Sequence, residues 1–491
     1  MVRAFLDTPG LAAQTQARFG SPVHLVFPQV YSENLLRLRA VLERRLPAHR
    51  ICYAHKVNQS RAFVRTAERD GIAVDVASPH ELSSALAAGF GPARIEVTGP
   101  KGETFLRDLV ERGSTINVDN LWELGRIAEL AHDHAEIPVL LRVSGIGTQQ
   151  VSRFGMPLAQ VEQAFDLLSA QRGRVSFLGF AFHLDSGDLG ERVRAIDACL
   201  RLIEQAYDRG FTPSVLDIGG GFRQVFTADA EQFDAYVLAL RESLLGRGEP
   251  MTWGNNTFGY HVAGGAVHGT PVFHKYANTV PADRMLADLL DAPLERHGGR
   301  TVAQVAGDNL LELWLEPGKA LADHAGVTLA TVEFVKEVAD GSVLVHVDLS
   351  RDAVTPADQE VMVDPILLPR ADVAAGRDCA TGPVGVYFAG RLCLERDLIT
   401  NHKVWLSARP QPGDVVVFPN TAAYHMDLSA AVASMHPLPA KLAVDRTPDG
   451  FRVVPDADYE PGLPVESPRA LHAATRGADL ATGPVRSVEA L

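Results

Sequence analysis

Cysteine is scarce in this chain. Its 491 residues include four, Cys52, Cys199, Cys379 and Cys393. No two stand in a C-x-x-C pair, which excludes the common zinc and thioredoxin-like spacings, so no metal site is expected. Such usage suits a reducing cytosol, and a cytoplasmic location is the expectation. Long apolar runs are also missing. No stretch approaches the roughly 20 residues of a membrane span, and Met1 to Gly10 lacks the apolar core of a signal peptide. Positive charge is in deficit: 46 Lys and Arg against 60 Asp and Glu leave a net charge of −14. That balance disfavours nucleic acid and anionic membrane as partners. It does not bear on a small anionic ligand, which feels only its pocket.

What is present is ordinary globular material, 46% hydrophobic and 22% charged, and long enough for two domains. From Arg50 onward, apolar strand-like runs recur near 50–56, 72–77, 94–98, 115–119, 137–142, 176–183, 215–218 and 312–316. Amphipathic segments lie between nearly all of them. Leu121, Leu124, Ile127, Ala128 and Ala131, for example, share one helical face. Ser32 is expected to cap a helix running to about Leu46. Eight strands alternating with helices predict an α/β protein, a TIM-type (β/α)₈ barrel. About ninety residues separate the glycine-rich turn at 219–221 from the strand at 312–316. This is too long for a simple connection, and its aromatic, amide-rich middle, Trp253 to His261, suggests a lid or interface insertion at about 246–300. From Gly326 the texture changes to β-runs at 326–337, 342–349, 383–389, 403–407 and 413–418, which predict a mostly antiparallel domain. The expected division is therefore an N-terminal segment over 1–29 that joins the β domain through the strand at 22–27, a barrel over 30–325, a β domain over 326–445, and a loosely ordered tail over 446–491.

Several stretches carry candidate chemistry. Lys56, in Tyr53-Ala54-His55-Lys56-Val57-Asn58, ends the first barrel run, and catalytic groups of such barrels sit where strands end. A desolvated lysine there can attack a carbonyl as an amine, although one strand-end lysine more often only carries its charge to water. Gly219-Gly220-Gly221 lets backbone N–H groups approach an anion closely, which suits a phosphate; a tight turn is the plainer alternative. His183 and Ser186, in Phe182-His183-Leu184-Asp185-Ser186, end the sixth run; the imidazole can lie on an aromatic ring and the hydroxyl can hold a phosphate oxygen. Glu316, in Leu315-Glu316-Pro317-Gly318-Lys319, ends an apolar run where an unpaired carboxylate is costly. A protonated ring nitrogen and a nearby arginine are both fitting partners. Cys393 can donate a proton and Tyr424 can hold phosphate, although singly each is more often a core residue.

Taken together and in this order, these motifs resemble the fold-type III pyridoxal-phosphate decarboxylases, the family of ornithine and diaminopimelate decarboxylases, whose barrel is like that of alanine racemase. The likeness runs from about Ser21 to Ala430, the insertion apart. It implies pyridoxal 5′-phosphate as cofactor, held as an aldimine on Lys56. Asp75 and Glu81 match carboxylates near that lysine, and His183 matches the histidine stacked on the ring. Ser186, Gly219, Gly220, Gly221, Gly318, Lys319 and Tyr424 match phosphate contacts, and Glu316 the acid on the pyridine nitrogen. Cys393 matches a proton donor that the family supplies from a partner subunit, so a homodimer with shared active sites is implied. Three positions depart from the pattern. Asp185 stands where the family usually has glycine, Lys319 where it has arginine, and Leu394 where it has the acid that meets a substrate's distal ammonium. Glu395 and Asp397 are the nearby acids able to take that place. The resemblance implies decarboxylation of an α-amino acid. A racemase on the same barrel and a non-catalytic regulator are the alternatives, disfavoured by Glu316 and Cys393 and by the retained set of residues.

Overall fold

The computed structural model describes residues 1–146, 151–354, 361–370, 383–429 and 431–462. Eight strands close into a barrel: His49–Ala54, Ala73–Val76, Ile95–Val97, Thr115–Val118, Ile137–Ser144, Val175–Ala181, Val215–Asp217 and Glu312–Leu315. Each pairs in parallel with the next, and the last returns to the first. The expected fold is therefore present, strand for strand. Cys52, Ala73, Leu140, Ala181, Val215 and Trp314 pack together as one buried cluster of barrel-strand residues. Gly179 lies beside a register shift between the strands 137–144 and 175–181. With φ near 152°, a Cβ there would overlap the Val215 carbonyl, so only glycine permits this approach.

Local chemistry sets the helices. Ser60 caps Arg61–Arg69 by accepting the Phe63 N–H, and Ser78 caps Pro79–Ala87 by accepting that of Glu81. The expected cap at Ser32 is corrected. The helix Pro28–Arg45 starts one turn earlier, because Pro28 at its first position is preset for helical φ. Ser32 is buried inside that helix and donates to Asp70 Oδ2 at 2.6 Å.

The β domain contains Gly326–Glu337, Val343–Val347, Val384–Ala389, Val404–Leu406 and Val415–Phe418 around a core that includes Val345, Phe388 and Phe418. The N-terminal strand Val23–Val26 lies in this sheet, antiparallel to Gly326–Glu337 and parallel to Ala440–Thr447. Order continues past 445, where the tail is expected to begin. Gly450–Pro455 pairs with Ala440–Thr447, and Asp456 accepts hydrogen bonds from Ser60 Oγ and from the N–H groups of Arg61 and Ala62. Residues 463–491 of the expected tail, and Cys379, lie outside the described residues. The insertion is also shorter than expected. Helix Ala282–Asp291 packs on Pro28–Arg45, Leu189–Asp208 and Val302–Asp308, so it belongs to the barrel's outer ring. The excursion before it carries a short hairpin, His261–Ala263 with Ala266–His268. Its Phe258, Tyr260, Val267 and Phe273 pack with Leu240 and Met362.

Candidate active site at the barrel mouth

The candidate residues stand at or just beyond the carboxyl ends of the barrel strands, which brings them to one mouth. Lys56 lies in a 3₁₀ turn over His55–Val57, with its side chain about one-third exposed. Its Nζ is 3.5 Å from Asp75 Oδ2, and Asp75 Oδ1 accepts from Thr98 Oγ1 at 2.6 Å. Burial opposes the lysine's charge, but the Asp75 and Glu316 carboxyls outweigh it and raise the proton affinity of Nζ. Glu81 turns back to accept the Ala77 N–H at 2.7 Å. Burial pushes its carboxyl up, and that N–H bond works against the shift.

Glu316 is buried and holds its backbone N–H on Gly219 O at 3.0 Å. Desolvation, with Asp217 and Asp75 close by, pushes its carboxyl far above the ordinary range. His183 Nδ1 is 3.9 Å from Glu316 Oε2, too long for a hydrogen bond. Instead Nδ1 accepts the Gly220 N–H at 3.3 Å, which leaves Nε2 to carry the proton of a neutral ring. Burial, reinforced by Lys56 and Arg142, pushes the imidazole down to about 3.

The glycine loop is a tight cradle. Gly219 and Gly221 have φ near 65° and 79°. A Cβ on Gly220 would lie 2.6 Å from Glu316 O, and one on Gly221 would overlap Leu184 O. Beside the loop, Lys319 Nζ and Lys275 Nζ each sit 2.6 Å from a different oxygen of Asp185. Burial opposes ionisation of Asp185, yet the two lysines hold it well below the usual range. Arg192 is fully buried, donates to Leu184 O and Gly220 O, and leaves Nε and Nη1 without partners. Ser186 Oγ accepts the Asp188 N–H at 3.0 Å. Gly318 is packed so closely that a Cβ would meet Val57 at 3.1 Å. Tyr424, with φ near 69°, donates its N–H to Val57 O at 2.7 Å and so stands against the Lys56 turn; burial raises its phenol. Lys275 was not read from the sequence, because its partner lies 90 residues away.

These residues suit pyridoxal phosphate. The cradle with its cations fits a phosphate dianion, the buried high-affinity carboxyl of Glu316 fits a ring nitrogen, and Lys56 fits the aldehyde.

A family model described as pyridoxal-dependent decarboxylase, pyridoxal binding domain, matches residues 33–249. An uncharacterized protein of Sinorhizobium fredii is 34% identical over 91% of each chain. The chain belongs to the pyridoxal-dependent decarboxylase family. It is a pyridoxal-phosphate enzyme of the amino-acid decarboxylase class. The diaminopimelate decarboxylase of Bacillus subtilis is 27% identical over 83% of each chain. The solved diaminopimelate decarboxylase of M. jannaschii in complex with L-lysine superimposes with a TM-score of 0.67 at 18% identity, covering 92% of this chain and 94% of that one.

Not every candidate joins the mouth in one chain. Cys393 is exposed, on a turn of the β domain beside exposed Leu394 and Glu395. Asp397 is buried and engaged, accepting the N–H groups of Arg351 at 2.6 Å and Leu392 at 2.7 Å. Its carboxylate holds the turn rather than facing outward with Leu394. Among the described residues no helix is long and apolar enough to cross a membrane.

Proposed function

We propose that the chain decarboxylates an α-amino acid at this mouth and works as a homodimer in which Cys393 of a partner subunit completes each site. The observation that carries the reading is the convergence of Lys56 on Asp75 with a buried Glu316 and a cation-lined glycine cradle at one end of the barrel. When bound, pyridoxal phosphate supplies a reactive aldehyde and a ring that accepts the electrons left by departing carbon dioxide.

The chain's own residues do the rest. Lys56 provides the attachment amine, aligned by Asp75, which Thr98 in turn orients. Glu316 holds a proton at the ring nitrogen. His183, kept neutral, would lie against the ring without adding charge. Gly219, Gly220 and Gly221, with Lys319, Ser186, Gly318 and Tyr424, grip the phosphate and fix which substrate bond stands in line for cleavage. Cys393 returns a proton to the α-carbon as general acid, and its exposure in the single chain supports delivery across a subunit interface. Leu394 offers no charge to a distal ammonium, and burying that ammonium beside a leucine is costly. The preferred substrate is therefore an amino acid without a plain terminal ammonium.

The test is evolved carbon dioxide across a panel of L- and D-amino acids with the holoenzyme. Release from one or more, with L-ornithine, L-lysine and meso-diaminopimelate near the bottom, is expected. Racemisation without carbon dioxide would refute the reading.

A further inference from the structure

Three carboxyls crowd the floor of this site. Glu96 is the middle residue of Ile95–Val97, Asp217 ends Val215–Asp217, and Glu316 follows Leu315. All three are buried, at 1%, 0% and 5% exposure, and an oxygen of each lies within 4.8 Å of the other two. Among the described residues no lysine or arginine forms an ion pair with any of them. Three bare charges at that spacing in a dry space repel strongly, so protons must be held among them.

The hydrogen bonds leave one oxygen of Glu96 and one of Asp217 to be accounted for. Glu96 Oε1 accepts from Asn117 Nδ2 at 3.2 Å, and Asp217 Oδ1 accepts the Gly219 N–H at 2.8 Å. The two remaining oxygens, Glu96 Oε2 and Asp217 Oδ2, are buried without partners. Buried polar atoms are seldom left so; Glu96 and Asp217 face each other as side-chain hydrogen-bond partners, and a single proton between them satisfies both.

We propose that Glu96 is a positioning residue that shares one proton with Asp217, and that this pair fixes the Glu316 carboxyl toward the cofactor ring. Asn117 anchors one end of the pair. The first N–H of the phosphate loop anchors the other, so the loop and Glu316 are set against the same support. The role rests on the reading of Glu316 given above. The other ionisable groups facing the triad are Cys52, Cys199, Asp75, Lys56, Arg142 and His183. Burial, then the neighbouring Glu316 and Asp75, raises Glu96 to about 8, and burial pushes Asp217 up as well.

The sign of the pH effect follows. A carboxyl with raised proton affinity keeps its proton in the folded chain and loses it in the unfolded one. Its stability contribution therefore drains away as pH rises from the ordinary carboxyl value toward about 8. Denaturant unfolding of the cofactor-free protein, followed from pH 5 to 8, tests this. The folding constant of the wild type should fall by up to about tenfold per pH unit relative to that of Glu96→Gln. The amide can still donate to Asp217 and accept from Asn117, yet has no proton to lose. Parallel profiles would overturn the shared proton. If Glu96→Gln does not fold, infrared spectra of the wild type carry the test. A protonated carboxyl band at neutral pH, shifted by ¹³C-labelled glutamate or aspartate, is expected, and its absence would overturn the proposal.

Positioning is read separately, from the pH dependence of bound pyridoxal phosphate absorbance. It should shift by about one pH unit in Glu96→Gln, as a unit of changed interaction between the two groups requires. An unmoved profile would overturn the positioning role. If Glu316→Gln also leaves the profile unmoved, it is the reading of Glu316 that fails; the shared proton is judged by the cofactor-free data alone.

Discussion

Asp185 stands between two cations at the place where the proposed function puts a phosphate. Lys275 and Lys319 each reach it at 2.6 Å, with side-chain exposures of 18% and 16% against 39% for the aspartate. Replacing Asp185 by Asn keeps the shape and removes the charge. A desolvated charge-assisted hydrogen bond is worth about 1.5–3 kcal/mol and an exposed ion pair about 0–1. The partial exposure of the carboxylate places each bond near about 1 kcal/mol, so Asp185→Asn should destabilise the cofactor-free protein by about 2 kcal/mol. A bound phosphate dianion gives both lysines a counter-charge again, so the loss should largely vanish when the protein is saturated with pyridoxal phosphate. The thermodynamic cycle then requires tighter cofactor binding in the variant, by about 10–30-fold, since about 1.4 kcal/mol is a factor of ten. Urea unfolding with and without cofactor, together with an absorbance titration of pyridoxal phosphate, measures both sides of the cycle. An equal loss of stability in the two states, with unchanged affinity, would refute the reasoning: the phosphate would not share these lysines.

Four further outcomes are expected. Lys56→Ala should lose the visible cofactor absorbance and its bleaching by borohydride; a variant still reduced at another lysine would remove Lys56 from its role. Glu316→Gln should keep the fold but slow turnover by about 10²–10⁴-fold, the span of a lost acid–base partner, as measured at saturating substrate. Mixing Lys56→Ala with Cys393→Ala subunits should restore part of the activity, because a mixed dimer contains one intact site; subunit exchange without recovery would argue against a shared site. Leu394→Glu should move the substrate preference modestly toward diamino acids, read as a ratio of kcat/KM values.

Much of the barrel was legible because each buried strand is a short apolar run that stops at a polar residue, as at Asp217 and Glu316. The tight loop at Gly219–Gly221 was legible because three adjacent glycines permit backbone approaches that a Cβ would block. Glu96 was not, since one acid inside an apolar strand acquires a meaning only when Asp217 and Glu316 arrive from strands more than a hundred residues away. Lys275 was hidden in the same way: the ion pair that brings it to the site spans 90 positions. Ser32 misled because a capping residue type four positions after a proline looks like a helix start, whereas Pro28 had already set one.

The location of Val23–Val26 bears on the order in which the molecule is made. This strand is synthesised long before its two neighbours in the sheet, Gly326–Glu337 and Ala440–Thr447. The same delay affects the helix after Lys56, whose first N–H groups wait for Asp456. During synthesis the chain therefore carries a buried-type apolar strand with both edges unmatched for more than three hundred residues. Non-local pairings of this kind slow folding, and unpaired strand edges invite association with other chains. Closure of the β domain, and with it the seating of the turn that bears Lys56, waits for translation through Ala440–Thr447 and Asp456.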